Sequence, residues 1–267
     1  NRSPLEIFLL GLQSIGSWSS FIAYAVAGAT IVWIALYTNT SYLLIAAMLI
    51  APFAGPAMNV AMATAVGDKT LFRRNIGRYF AAIVVTMAIN ALLTVIFQQA
   101  VITALMTSVG HVSTVAVLLP IAAGSAGALN LIQSERSSLV SGTAVGMLVT
   151  ASLAPPAGLM GMTALMRNWD LVLNTGFILM LQLVGINLAG SVTFRIFGLN
   201  SSLARYQRGN KTVFYASTAI TILALAALLT WQFTGPIQLQ RTTEGTQATQ
   251  IITRSEEHTS ELQSLLI

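Results

Sequence analysis

The sequence predicts an all-α integral membrane protein with about seven transmembrane helices, arranged as two inverted three-helix repeats with broken middle helices plus one extra helix. Three observations support this prediction: the composition, a series of long apolar runs, and a short phrase that occurs twice. Hydrophobic residues make up 55% of the 267 residues and charged residues only 8%, whereas soluble domains carry about 25% charged residues. This small number of charges cannot cover a water-facing surface. We therefore expect the lipid bilayer to be the main partner of the chain.

Seven apolar runs are long enough to cross a bilayer, which requires ~20 residues. They lie at 19–38, 42–66, 77–100, 113–132, 138–165, 171–197 and 213–233. The fourth is the weakest, because it is short and contains Pro120. The runs divide the chain into an interfacial or linker segment (1–18), a first repeat (19–107), a second repeat (108–200), a seventh helix (201–235), a truncated outside segment (236–253) and a tail (254–267).

The phrase Ala-Pro-X-Ala-Gly occurs in the middle run of each repeat, at Ala51–Gly55 and at Ala154–Gly158. Proline removes a backbone N–H and clashes with the preceding helical turn. Backbone groups freed in this way are tolerated at membrane depth only beside protein or a water-lined cavity. A duplicated helix break therefore predicts a site between two repeats. Because each repeat has an odd number of spans, the second copy would run opposite to the first.

The candidate substrate-binding residues are the small and proline residues of the two phrases and the nearby asparagines. They are Pro52, Gly55, Pro56, Asn59, Asn90, Pro155, Pro156, Gly158 and Asn187. Two plainer interpretations stay open. The prolines can be ordinary kinks, and the asparagines, together with Asn130 and Gln182, can form hydrogen bonds between helices instead of lining a polar path beside the breaks. Helix starts after a break favour anions, whereas helix ends before a break offer carbonyls that favour cations. The sequence does not decide between the two.

The charged and titratable residues do not suggest catalysis or metal binding. Asp68 and Asp170 follow the two middle runs, where an acidic residue is a natural helix cap. No ionisable residue lies near the centre of a run, which disfavours a carboxylate-driven proton pump. His111 stands alone in an outside loop and is expected to face solvent. Known catalytic motifs are absent, and so is cysteine, so we expect no enzyme activity, no cofactor and no metal.

Lysines and arginines are unevenly distributed between the two sides that seven spans would create. Arg167, Arg241 and Arg254 fall on one side. The other side carries ten, namely Arg2, Lys69, Arg73, Arg74, Arg78, Arg136, Arg195, Arg205, Arg208 and Lys211. The positive-inside rule places the ten in the cytoplasm, with the N-terminus inside and the C-terminus outside. The net charge of +5 thus reflects orientation, and we expect no nucleic-acid partner.

Several strings resemble a known family. They are Ala47–Pro56, Gly67-Asp68 and Leu71–Arg74 in the first half, and Ala122–Ala128, Leu153–Pro156 and Gly185–Ala189 in the second half. Together they resemble the hydrophobic family called domain of unknown function 389, over about residues 20–200. The chain departs from the family pattern at Ala51 and Ala154. The resemblance implies a bacterial or archaeal plasma-membrane protein whose activity is not established, and it supplies no site residues.

The C-terminal segment 254–264 resembles a translated sequencing adapter. We therefore expect residues 254–267 to be non-native. The chain also begins at Asn1 without a methionine, and we expect it to be a fragment.

The expected function is that of a transporter or channel for a small solute or ion, with its site between the two broken helices. The alternative is a non-transporting scaffold or sensor module that serves soluble domains outside this chain. An intramembrane enzyme is disfavoured, because no acid, base and nucleophile constellation is present. The solute, the coupling ion and the oligomeric state stay open, a homo-oligomer included.

Overall fold

The computed structural model describes residues 17–111, 118–133, 142–199 and 211–234, and all regular structure in these ranges is α-helical. The helices are α1 (Trp18–Tyr37), α2 (Ser41–Ile50), α3 (Ala54–Val66), α4 (Lys69–Ile96), α5 (Ala104–Val109), α6 (Leu118–Ile132), α7 (Gly142–Leu165), α8 (Trp169–Ile196) and α9 (Lys211–Thr234). The chain divides into two compact units, residues 1–225 and 226–267, and the packing below is that of the first unit. The prediction of an all-α chain is confirmed.

Four of the described helices are long and apolar enough to cross a membrane: α1, α4, α7 from Ala144 onward, and α8. The pair α2 and α3 passes the same test as one span bent by 56°. Helix α6 and residues Tyr215–Trp231 of α9 are apolar but shorter. The chain thus has the helices of a membrane protein, and the count of seven spans stays a prediction. The predicted segments 1–16 and 236–267 lie outside the described residues.

The predicted break in the first repeat is present between α2 and α3. Ala51 adopts an extended backbone with φ −66° and ψ 128°, because the residue before a proline is pushed out of the helical region. Pro52 and Phe53 form a turn, and α3 restarts at Ala54. The sequence therefore ends α2 at the point where Pro52 takes away the N–H that would continue it.

The predicted break in the second repeat requires a correction, because α7 runs without interruption through Pro155 and Pro156. Each proline removes only one backbone hydrogen bond, and a membrane helix tolerates this when neighbouring helices support it. Helix α7 has this support, since 76% of its most apolar window is buried, compared with 33% for α4 and 56% for α8. It packs against α2, α4, α6 and α8.

The two predicted three-helix repeats, called triplets below, share one register. Equivalent residues in the two triplets have numbers that differ by 100. Helices α4 and α8 each have 28 residues and begin at Lys69 and Trp169. Their flanking residues also correspond. Before each helix comes a residue with left-handed backbone, Gly67 (φ 77°) or Arg167 (φ 54°), followed by the N-cap, Asp68 or Asn168. After each helix comes the C-cap, Phe97 or Phe197, followed by a second left-handed residue, Gln98 (φ 49°) or Gly198 (φ 90°). Helices α4 and α8 are therefore matched in length and in the backbone geometry of their flanking residues.

The equivalent helices α4 and α8 run in opposite directions. Leu71, near the start of α4, shares a hydrophobic cluster with Phe194 and Leu199 at the end of α8. At the opposite end, Leu171 near the start of α8 lies against Gly110, which closes the short α5 that follows α4. The main contacts are also matched between triplets, since α1 packs on α4 as α6 packs on α8, and α4 packs on α7 as α8 packs on α3. This arrangement is expected of an inverted repeat, which stays a prediction until the triplets are superposed.

Helix α4 begins eight residues earlier than the predicted span at 77, at Lys69. Lys69, Arg73 and Arg74 are exposed on its first turns, and Arg78 is buried. Lys69, Arg73 and Arg74, which lie between the predicted runs 42–66 and 77–100, thus belong to the helix itself.

Candidate functional site

A cavity of about 240 Å³ lies against the two prolines of α7. Its walls come from α2 of the first triplet, from the segment that ends α5, and from α6, α7 and α8 of the second triplet. Pro155 and Pro156 line it directly, together with Ser152, Gln182 and His111. The cavity therefore lies where the first triplet meets the proline pair of the second.

The polar side chains at the cavity are those of Gln182, Ser152 and His111. Gln182 is 3% exposed, and its Oε1 atom has no hydrogen-bond partner among the described residues. Pro155 and Pro156 have no N–H to donate to the carbonyls four residues earlier, those of Ala151 and Ser152, and both of these residues line the cavity. The Ser152 hydroxyl donates to the Leu148 carbonyl at 3.2 Å.

The cavity walls carry little formal charge. No Asp, Glu, Lys or Arg is among the described residues that line it. The described part of the chain also has no cluster of three or more His, Cys, Asp or Glu side chains that could hold a metal ion. Any ligand at this site would be held by neutral dipoles, with His111 as the titratable group on the wall.

The residues of the first break lie outside the walls of this cavity. Pro56 is buried, whereas Gly55 is exposed, and none of the described atoms lies within 4 Å of the position a Cβ would take at Gly55. The break nevertheless contacts α7, because a Cβ on Gly146 would lie 3.8 Å from the Cβ of Ala54. Of the two predicted breaks, only the proline pair of α7 lines the cavity.

The three candidate asparagines form hydrogen bonds between helices. The Asn59 Nδ2 donates to the Asn75 Oδ1 at 3.4 Å, which joins α3 to α4. The Asn90 Nδ2 donates to the Ala29 carbonyl at 3.1 Å and so joins α4 to α1. The Asn187 Oδ1 accepts from the Thr64 hydroxyl at 3.2 Å, which joins α8 to α3. These bonds match the plainer of the two interpretations that the sequence left open.

Gly158 lies at a crowded helix crossing. A Cβ there would lie 2.5 Å from the Cγ1 of Val32 and 3.0 Å from the Oδ1 of Asn90. The absence of a side chain thus lets α7 approach both α1 and α4. At Gly158 the close approach that the sequence suggested is made by neighbouring helices.

Two residues of the cavity, Gln182 and His111, are not among the candidate residues predicted from the sequence, whereas Asp68 is the helix cap that the sequence predicts. The sequence places Gln182 among the polar residues within the spans that either form hydrogen bonds between helices or line a polar path. His111, for which solvent exposure is predicted, also lines the cavity. Asp68 caps α4, since its Oδ1 accepts from the Thr70 and Leu71 amides at 2.8 and 3.1 Å. Asp170 lies in the first turn of α8, whose cap is Asn168.

Comparisons with known proteins agree with the resemblance noted above. An uncharacterized protein of the archaeon Methanocaldococcus jannaschii is 25% identical over 177 residues, which are 64% of this chain and 52% of that protein. The chain thus spans about half the length of that curated relative. No solved structure matches it. The family model described as "Domain of unknown function (DUF389)" matches residues 48–188, just over half of the 267 residues, and the chain therefore belongs to this family.

Proposed function

We propose that the chain is a membrane transporter or channel for a small solute or ion, and that the cavity beside Pro155 and Pro156 is its binding site. The observation that carries this proposal is the cavity of about 240 Å³, bounded by helices of both triplets. Ligand sites typically occur at such junctions, in a mostly apolar pocket with a few polar groups. In transporters built from repeats, the site lies at the interface between the repeats.

The buried amide of Gln182 at the cavity supports a ligand over simple packing. A buried acceptor without a partner costs about 1–3 kcal/mol, and most buried polar groups in native proteins are paired. The Oε1 atom of Gln182 meets this condition, since it is buried and has no hydrogen-bond partner among the described residues. A scaffold with no ligand would be more stable with an apolar residue at this position.

The residues of the first triplet that correspond to the cavity residues of the second triplet are different. This difference supports a mechanism in which a solute reaches the site from one side of the membrane at a time. In the shared register, Ile178 and Gln182 of the cavity correspond to Arg78 and Ala82. Arg78 is 5% exposed, and its guanidinium lies 5.0 Å from the ring centre of Trp18 and 5.8 Å from that of Phe21. Arg78 and Ala82 are buried, whereas Ile178 and Gln182 line the cavity. A difference of this kind between equivalent places supports alternation between two pseudo-symmetric states.

Flux in proteoliposomes tests the proposal. The purified chain would be reconstituted and assayed with a panel of small cations, anions and neutral solutes. We expect flux of at least one class, with Gln182→Leu slowing it and Gln99→Leu leaving it unchanged. Gln99 is a matched control, because its Oε1 is likewise buried without a partner, whereas Gln99 does not line the cavity. A folded chain that conducts no member of the panel would contradict the proposal.

The second candidate function is a non-transporting scaffold or sensor module. It is supported by the close packing of α7, where a Cβ on Gly161 would collide with the carbonyl oxygen of Met87. It is also supported by length, since the match covers 52% of the archaeal relative, so that relative contains further segments outside the matched region. Under this alternative, Gln182→Leu would raise stability and no solute would cross the membrane.

The orientation is part of the same proposal. Lys69, Arg73 and Arg74 are exposed at the start of α4, and the positive-inside rule places this end in the cytoplasm of a bacterial or archaeal cell. The cavity-lining end of α5 lies near the opposite end of α4, so the cavity would open toward the outside. We expect no catalysis, and a homo-oligomer stays open.

A further inference from the structure

We propose that the basic end of α4 binds the headgroup of an anionic phospholipid from the surrounding bilayer. The cations of this site are Lys69, Arg73 and Arg74, which are exposed on the first turns of the helix. The acyl chains of the same lipid lie along the apolar face of α4 that continues from them. This inference goes beyond the proposed function, because it concerns the outer surface of α4, a helix that supplies none of the described cavity residues.

The exposed face of α4 is charged at one end and apolar over the rest of its length. After Arg73 and Arg74, exposed residues recur at helical spacing and none of them carries a charge or a hydrogen-bonding side chain. They are Gly77, Phe80, Val84, Ala88, Leu92 and Val95. Such a face is complementary to a molecule with an anionic head and apolar tails. A soluble anion would contact only its charged end.

Trp18 indicates where the headgroup layer lies along α4. Its ring is 49% exposed and lies 5.0 Å from the guanidinium of Arg78, and tryptophan is typical of the membrane interface. Arg74 and Lys69 precede Arg78 by about 6 and 14 Å along the helix axis, at 1.5 Å per residue. The headgroup layer is roughly 5–8 Å thick on each side of the hydrocarbon. Arg74 therefore lies at the level of the lipid phosphates, and Lys69 lies toward water.

The charge at this end of α4 suits a phosphate group. The nearest carboxylate, that of Asp68, is 6% exposed, and its Oδ1 accepts hydrogen bonds from two backbone amides as the helix cap. The charged side chains exposed on the described first turns of α4 are thus all cations. Arginine pairs with phosphate through two parallel hydrogen bonds, and clusters of lysine and arginine beside a membrane span attract anionic lipids.

Gly77 leaves a notch between the arginines and the apolar part of the face. None of the described atoms lies within 4 Å of the position that a Cβ would take there, and Gly77 is exposed. The next exposed side chain, Phe80, is 51% exposed and forms the far edge of the notch. The gap lies one helical turn below Arg73, where the glycerol backbone joins the head of a phospholipid to its tails.

The test is the thermal unfolding midpoint of the purified full chain in detergent, titrated with phosphatidylglycerol or with phosphatidylcholine of the same acyl chains. A ligand that binds only the folded state stabilises it by mass action. We therefore expect a saturating rise of the midpoint with phosphatidylglycerol and none with phosphatidylcholine. Glycerol phosphate carries the charged head without the tails, and it should leave the midpoint unchanged.

Two variants with matched controls locate the site. Arg73→Gln/Arg74→Gln should weaken the apparent affinity for phosphatidylglycerol about thirtyfold, the effect of two cations near an anionic surface. Arg167→Gln is its control, because Arg167 is exposed and precedes α8 at the opposite end of the bundle. Gly77→Leu fills the notch and should also weaken binding. Gly55→Leu is the control for this change, since Gly55 likewise has open space at its Cβ position.

Three outcomes would overturn the lipid site. They are equal rises with the two lipids, a rise with glycerol phosphate as large as that with phosphatidylglycerol, and wild-type affinity in the double arginine variant. The second of these would assign the cations to a soluble anion. If the arginine variant does not fold, Gly77→Leu decides, because wild-type affinity in that variant would contradict a lipid seated beside the arginines. None of these measurements depends on solute flux, so the proposed function is tested separately.

Discussion

The Oδ1 atom of Asn90 on α4 lies 3.0 Å from the position that a Cβ would take on Gly158 of α7. The Nδ2 of the same asparagine donates to the Ala29 carbonyl of α1. One side chain therefore marks the point where three helices from both triplets come together. The close approach depends on glycine, since any side chain at residue 158 would meet Val32 and Asn90 at once.

Gly158→Val should destabilise the protein, whereas Gly55→Val should have little effect. The first change overpacks a closed crossing, which costs about 1–3 kcal/mol, because the new side chain would displace Val32 or Asn90. The second places a side chain in open space, since none of the described atoms lies within 4 Å of that Cβ position. Thermal unfolding midpoints in detergent measure both. Equal losses in the two variants would contradict this account of the two glycines.

Thr94→Val should also lower stability, because it removes the acceptor of a buried donor. The indole Nε1 of Trp33 donates to the Thr94 hydroxyl at 3.1 Å, and both side chains are 4% exposed. Leaving the indole N–H unpaired should cost about 1–3 kcal/mol. Thr107→Val is the control, since the Thr107 hydroxyl is exposed and donates within its own helix to Thr103. A control variant that falls as far as Thr94→Val would show that the interhelical bond is unimportant.

The two proline phrases show what the sequence can and cannot predict. The break at Pro52 follows from local rules, because a proline forces Ala51 out of the helix whatever surrounds it. The outcome at Pro155 and Pro156 depends on how deeply the helix is packed, and periodicity along one chain does not report that. The result is a continuous helix where a break was predicted, and a cavity where a shared break was predicted.

The cavity residues, too, could not be predicted from local sequence rules. Gln182 and His111 come together with Pro155 only through the packing of α5, α7 and α8, which requires the register between helices. In the sequence, the matching strings Ile89-Asn90 and Ile186-Asn187 suggest that Asn90 and Asn187 are equivalent. The structural register instead pairs Asn90 with Gly190 and Asn187 with Met87, so short matching strings gave an alignment that was off by three residues.

The inverted repeat predicts a specific superposition in an experimentally determined structure. With Pro56 placed on Pro156, helices α3 and α4 should overlay residues 154–166 and helix α8, with Asp68 on Asn168. The rotation axis should lie in the membrane plane, because α4 and α8 run in opposite directions. An axis along the membrane normal, or a fit that requires a different offset, would contradict the inversion.

Single cysteines should report the orientation, and the chain has none of its own. Lys69 and Ala104 are both exposed. Lys69 is the first residue of α4, and Ala104, the first residue of α5, follows the other end of α4. In whole cells, Ala104→Cys should react with an impermeant maleimide, and Lys69→Cys should react only after the cells are permeabilised. The reverse labelling pattern would place the basic end of α4 outside and invert the proposed topology.

The double variant Pro155→Ala/Pro156→Ala separates the stability of α7 from its function. Alanine restores the two N–H donors, and a proline inside a helix costs about 3 kcal/mol relative to alanine, so the unfolding midpoint should rise or stay level. The carbonyls of Ala151 and Ser152 would then be engaged within the helix, so solute flux should fall. Pro120→Ala is the matched control, because Pro120 is the third residue of α6, where the N–H has no partner within the helix. It should therefore leave flux unchanged. A stabilised double variant with full flux would show that these carbonyls do not hold the solute. If the wild type itself conducts nothing, the non-transporting interpretation gains support instead.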